Sequence, residues 1–193
     1  MDNQVKNILR YALILFIITA VSAALLAGIN MLTKDKISEN ALLAENEALG
    51  EVMAQAKEFE PLDEASAIGY GAKAIYIAKD EAGIEIGYCV KMAQNGYGGE
   101  IVSIIGVSQD GLVSGVSIIS HSETPGLGAK LVGENFKGQF VGKGKVSVVK
   151  AGAKEGEINA ISGATISSKA LTSSVNAAVD ICEKIKKEGA VIQ

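Results

Sequence analysis

Three loops built from small residues carry the groups with which this chain can do chemistry. Ser162-Gly163-Ala164-Thr165-Ile166-Ser167-Ser168 presents a threonine hydroxyl with almost no bulk around it. His121-Ser122-Glu123-Thr124-Pro125-Gly126-Leu127-Gly128 sets a carboxylate and a Pro-Gly turn beside the only histidine. Gly96-Tyr97-Gly98-Gly99-Glu100-Ile101 is the third loop. Thr165 stands just before an apolar-periodic segment, Ser167 to Lys187, which reads as a helix with Ala170, Leu171, Val175, Ala178, Val179 and Ile185 on its inner face. Free N–H groups and the macrodipole at such a helix start favour an anionic phosphate. Gly163 and Ala164 leave the hydroxyl open to one. The same residues also suit an ordinary N-cap, where Ser or Thr only satisfies backbone donors. This segment alone leaves both readings open.

Other glycine-rich chemistries are excluded residue by residue. Gly133 to Gly138 has the outer spacing of a phosphate-binding P-loop, but Gln139-Phe140 stand where Lys-Ser/Thr belongs. A dinucleotide fingerprint beginning at Gly126-Leu127-Gly128 needs glycine where Leu131 stands. There is no GxSxG elbow, and one His flanked by Ser120 and Ser122 is no triad, so a hydrolase using Ser122 or Ser167 lacks a base. Cys89 and Cys182 fit no metal or iron–sulfur spacing; a disulfide or two buried thiols are both open to them. A net charge of −4, no Trp and no basic stripe speak against a nucleic-acid partner.

The elements that must position these loops follow from periodicity. Tyr11 to Leu32 is a run of 22 uncharged residues. At about 1.5 Å per residue a helix of this length crosses the roughly 30 Å hydrocarbon core of a bilayer. Lys6, Arg10 and Val21-Ser22-Ala23 also allow a signal peptide, but a signal core is usually about 7–15 residues, so an uncleaved anchor is the reading. Lys6 and Arg10 before the run balance Lys34 and Lys36 after it, so charge alone gives little orientation. Residues 33–57 repeat Ile37, Ala41, Leu42, Leu49, Val52, Met53 and Ala56 at helical spacing, an amphipathic stalk or a core helix. Strands are expected at Ala74–Ala78, Ile84–Val90, Ile101–Val107, Val113–Ile119 and Val146–Val149, with a helix from Ala129 to Phe140. The fold class is α+β: one N-terminal transmembrane helix, a helical stalk, then a domain of mainly antiparallel sheet with packed helices. The divisions are residues 1–10 (cytoplasmic tail), 11–32 (anchor), 33–60 (helical linker) and 61–193 (the domain with the three loops).

The three loops, in this order and over roughly Gly87 to Lys184, resemble the FMN-binding domain family. That family is shared by the G subunit of Rnf electron-transport complexes and the C subunit of the sodium-pumping NADH:quinone reductase. The anchor, single domain and short length look most like the Rnf G subunit. The resemblance implies FMN attached covalently, through a phosphoester, to Thr165, with Ser162, Gly163 and Ala164 as the presenting loop. It implies further that Glu123, Thr124, Gly126 and Leu127 line the isoalloxazine ring, and that Gly98 and Gly99 let backbone approach it. His121 reads as structural or at the rim, and Lys130 as a phosphate partner or a solvated lysine. The family pattern carries aspartate three positions before Ser162, where this chain has Asn159.

By the same resemblance the chain is an electron relay between reduced ferredoxin and NAD⁺, in a membrane complex that moves Na⁺ or H⁺. It is not catalytic alone. Its implied partners are other subunits of the complex, a flavin transferase for maturation, and the lipid bilayer, with the flavin domain on the extracytoplasmic side of the cell membrane. The alternatives are a C-type reductase subunit, a free-standing extracytoplasmic flavoprotein, or a flavin-free anchored scaffold or sensor.

Overall fold

The computed structural model describes residues 3–69 and 71–189; Met1, Asp2, Tyr70 and residues 190–193, which fall within the expected divisions 1–10 and 61–193, lie outside the described residues. The chain divides into two compact units, with the boundary between Ala44 and Glu45.

The first unit is helical over its described residues. Helix α1 (Asn3–Val52) has no Pro and runs unbroken through the uncharged stretch and beyond the boundary. Leu13, Phe16, Ile17, Leu25 and Leu26 are exposed on all sides, and the most apolar 18-residue window has a mean hydropathy of 2.6. A helix apolar all round, with no protein covering it, has the length and surface of a membrane span. Its two threonines are accommodated in the same way. The Thr19 hydroxyl donates to the Leu15 carbonyl and that of Thr33 to the Ile29 carbonyl, each at 3.0 Å, so neither is left unbonded in an apolar setting.

The second unit is built on a five-stranded antiparallel sheet in the order β1 (Glu58–Pro61), β2 (Ala74–Lys79), β3 (Glu85–Asn95), β4 (Glu100–Ser108) and β5 (Val113–Ser120). Strand alternation sends side chains to two cores. Tyr88, Val90, Ile101, Ile105 and Val107 pack with Leu171, Val175, Ala178 and Val179 of helix α4 (Thr165–Gly189). Cys89, Ile104 and Ala78 instead pack with Ala48, Leu49, Val52 and Met53 from the end of α1. Each fully buried Leu or Val contributes about 1.5–3 kcal/mol, so α4 is held chiefly by its inner face. The expected stripe on residues 33–57 therefore divides: Leu49, Val52, Met53 and Ala56 are buried, while Ile37 and Leu42 are exposed.

The second core is close because two glycines face each other under it. Gly106 pairs with Gly115 across β4 and β5. A Cβ on Gly106 would lie 2.6 Å from the Val52 carbonyl oxygen, and one on Gly115 2.7 Å from the Val52 Cα. Two carboxylates complete the contact. Glu45 accepts from the Tyr76 hydroxyl at 2.6 Å and Lys91 at 2.8 Å; Glu51 accepts from the Ser117 hydroxyl and from Lys137, both at 2.6 Å. Burial raises both carboxyl pKa values, but these hydrogen bonds and the lysine charges outweigh it and hold both below the ordinary carboxylate range.

One expectation changes in detail. The helix expected from Ala129 to Phe140 is a 3-10 turn (Gly128–Val132) and a short helix α3 (Glu134–Lys137), separated by Gly133 in extended conformation. Helix α2 (Glu64–Gly69), the edge strand β1, and the parallel pair β6 (Ser147–Val149) with β7 (Glu157–Asn159) complete the unit. Cys89 and Cys182 are free thiols in different cores, on opposite faces of the sheet. Burial pushes both thiols up to about 12, so they behave as apolar side chains.

Candidate functional site

The three loops of small residues converge at one end of the sheet. The first joins β3 to β4, closed by the Gly96 N–H donating to the Gly99 carbonyl at 2.8 Å. The second leaves β5, and the Thr124 carbonyl accepts from the N–H groups of Leu127 and Ala129, both at 3.2 Å. The third enters α4 through a turn in which the Ala164 N–H donates to the Ile161 carbonyl at 2.9 Å. Gly163 takes φ +77° there, a left-handed conformation that side chains disfavour. Ser168 locks this turn from inside the helix: its hydroxyl accepts from the Ile161 N–H at 3.0 Å and donates to the Ala164 carbonyl at 2.9 Å.

Glu123 ties all three loops together. Its side chain is buried, with Oε1 accepting from the N–H groups of Tyr97 (2.8 Å) and Gly98 (3.0 Å), and Oε2 from the Ser167 hydroxyl (2.5 Å). Burial alone would raise its pKa. The bonds from Ser167, Gly98 and Tyr97 outweigh it, so the carboxyl sits below its ordinary range and is ionised at neutral pH. His121 is half-buried and accepts the Glu123 N–H through Nδ1 at 3.2 Å, so it shapes the loop.

Above this clamp opens a cleft of about 430 Å³. Of the residues expected from sequence, Glu123, Thr124, Leu127, Gly163, Ala164 and Thr165 line it. The other four fall beside it. Ser162 borders a smaller pocket that shares Gly163 and Thr165 with the cleft and includes Lys150. Gly98 and Gly99 lie against Ser122, where a Cβ on Gly98 would come within 2.1 Å of the Ser122 carbonyl oxygen. Gly126 makes a turn at φ +77°. Lys130 borders a separate pocket with Phe136 and Gln139.

Sequence reasoning did not assign Tyr97, Gly128, Ile166 and Ser167, all of which line the cleft. Tyr97 and Ile166 are largely exposed at its rim, which was legible only as an aromatic flanked by glycines and an apolar residue after the threonine. The walls are thus mainly apolar, and Thr165 is the first residue of α4. Its first-turn N–H groups have no partner within the helix. The arrangement fits a ligand with a flat apolar body and a phosphate: the body against Tyr97, Leu127 and Ile166, the phosphate at the helix start.

Comparison with known proteins agrees with this chemistry. The family described as FMN-binding domain matches residues 96–180, and the RnfG N-terminal region matches residues 1–52. The G subunit of the Na(+)-translocating ferredoxin:NAD(+) oxidoreductase complex of Acetobacterium woodii is 39% identical, over 94% of this chain and 95% of its own. The G subunit of the ion-translocating oxidoreductase complex of Methanosarcina acetivorans is 37% identical, over 91% of this chain and 94% of its own. Among solved structures, the C subunit of the Na(+)-translocating NADH-quinone reductase from Parabacteroides distasonis has a similar fold. Its TM-score is 0.51 at 23% identity, covering 65% of this chain and 75% of that one.

Proposed function

This chain belongs to the family of G subunits of Rnf-type ion-translocating oxidoreductase complexes, and from that membership we propose that it carries FMN on Thr165 and relays electrons between ferredoxin and NAD⁺. The observation that carries the reading is the place of Thr165. It is the first residue of α4, on the border between the apolar cleft and the pocket containing Lys150. Its hydroxyl oxygen forms the phosphoester. Gly163 and Ala164 keep that oxygen open, and Ser162 belongs to the same presenting loop. The first-turn N–H groups hold the phosphate. Thr124, Leu127, Tyr97 and Ile166 hold the ring system, while Glu123, with Gly98, Gly99 and Gly126, shapes the loops beneath it.

When bound, FMN supplies the one-electron chemistry that no side chain of this protein provides. A covalent link prevents its loss on the extracytoplasmic side, where the second unit stands. Residues 11–32 of α1 anchor the chain in lipid, and residues 1–10 form the cytoplasmic tail. Other subunits hold the ferredoxin and NAD⁺ sites and the Na⁺ or H⁺ path, and a flavin transferase makes the Thr165 bond.

The test is intact mass of the full chain produced with an active flavin transferase, beside Thr165→Ala. A gain of one FMN minus one water in the parent alone, with yellow colour surviving denaturation, is the expected result. An unmodified parent, under conditions where the transferase modifies another substrate, would return the chain to the scaffold or sensor reading.

A further inference from the structure

We propose that Glu123 is a fixed buried charge that holds the potential of the flavin on Thr165 low. The inference rests on the Thr165 reading above and adds to it a tuning residue.

Glu123 is 5% exposed, and all three hydrogen-bond donors to its carboxylate are neutral: two backbone N–H groups and one hydroxyl. Among the described residues no Lys or Arg forms an ion pair with it. His121 accepts the Glu123 N–H through Nδ1 rather than donating to the carboxylate. Space for the carboxylate comes from two missing side chains. A Cβ on Gly96 would lie 2.2 Å from Oε1; one on Gly128 would lie 2.3 Å from Oε2 and 2.8 Å from the Ser167 Oγ.

A loop clamp does not need a charge. The amide of a Gln could accept from the same N–H groups at lower desolvation cost. A full anion here is instead screened less than one in open water, because little of Glu123 is exposed. Glu123 also lines the cleft that contains Thr165. Its negative charge opposes the arrival of electrons in that cleft, which lowers the midpoint potential of a flavin held there. A low potential suits a relay placed between ferredoxin and NAD⁺.

The experiment is a spectroelectrochemical titration of the detergent-solubilised full chain. Complete loading of Thr165 is first verified by mass, and the parent is compared with Glu123→Gln and Ser167→Ala. For Glu123→Gln the expected result is a positive shift, on the order of tenfold in the reduction equilibrium, or about 59 mV for one electron. Ser167→Ala keeps the charge but removes one donor that stabilises it, so its potential moves to more negative values. An unchanged or more negative potential in fully loaded Glu123→Gln overturns the proposal. Where Glu123→Gln does not fold or load, Ser167→Ala decides: a negative shift supports the proposal, and an unchanged or positive value ends it. A parent that carries no flavin on Thr165 is the separate failure of the preceding reading, and the proposal falls with it.

Discussion

The Ser167 hydroxyl donates to the Glu123 carboxylate across 44 residues of sequence, and this bond joins the start of α4 to the loop that follows β5. Both partners are buried, so water cannot replace a missing donor. Ser167→Ala is therefore expected to destabilise the folded unit by about 1–3 kcal/mol, the cost of leaving a buried polar group short of a partner. Ser173→Ala, on the exposed side of the same helix, should change stability by no more than about 0.5 kcal/mol. Urea melts of the two variants give the comparison. Equal midpoints would mean that the Ser167 bond does not hold the site together.

Acid should loosen the same unit, and the direction follows from three carboxylates. Burial raises the pKa of Glu45, Glu51 and Glu123, but their hydrogen bonds outweigh it and each lies below the ordinary 4.5. A group depressed in the native state stabilises the fold fully above its unfolded value. That contribution is lost as pH falls through the native one. Stability should therefore be flat from neutral pH to just above 4.5 and decline below it. Glu45→Gln, which keeps one acceptor oxygen where Tyr76 and Lys91 now use two, should have lower stability at neutral pH and a shallower acid decline. Melting midpoints across this range, read by circular dichroism, test it, and a parallel decline in the variant would exclude Glu45 as a contributor.

Glycine substitutions should separate close packing from helix propensity. Gly115→Ala brings a Cβ within 2.7 Å of the Val52 Cα, a backbone atom that can move only with the end of α1. Overpacking of this kind costs about 1–3 kcal/mol. Gly50→Ala, in the same helix end but with open space around the new methyl, should stabilise by up to about 1 kcal/mol. Opposite signs for the two are the expected result in thermal melts. A harmless Gly115→Ala would mean that Val52 does not press on the sheet at Gly115.

These contrasts also mark how far the sequence could be read. The uncharged run, the core strands and α4 are legible because each has one dominant period and a sustained apolar face, as in Ala170, Leu171, Val175 and Ala178. Strand β1 was not, because Glu58-Phe59-Glu60-Pro61 is an edge segment with a single apolar side chain between its carboxylates, and it forms only against β2. The helix expected from Ala129 to Phe140 was broken by Gly133, whose extended backbone no periodicity reports. At the site, Thr165 stood out because small residues surround it. The role of Glu123 did not. Its partners Tyr97 and Ser167 lie 26 and 44 residues away, and only the folded sheet brings them together. The same holds for Lys150, which the chain places beside Thr165 through the loop after β6.

Asn159 gives a prediction about maturation. It ends β7, and its Oδ1 accepts from the Ala153 N–H at 3.0 Å. Its own N–H donates to Gln139 Oε1 at 2.8 Å, and its carbonyl accepts from Gln139 Nε2 at 3.3 Å. An aspartate, the residue the resemblance leads one to expect here, keeps the side-chain acceptor and leaves both backbone bonds untouched. Asn159→Asp should therefore leave the melting midpoint unchanged. It adds a negative charge to the exposed end of the strand that leads into the Thr165 loop, which on the proposed function is the surface a flavin transferase would approach. The initial rate of covalent flavin incorporation should therefore rise several-fold, as read by fluorescence of the denatured protein with Thr165→Ala as blank. Asn159→Ala, which orphans the Ala153 N–H, should instead lower both rate and stability. Equal rates for the parent and Asn159→Asp at equal stability would show that the acceptor, and not the charge, is what the enzyme reads.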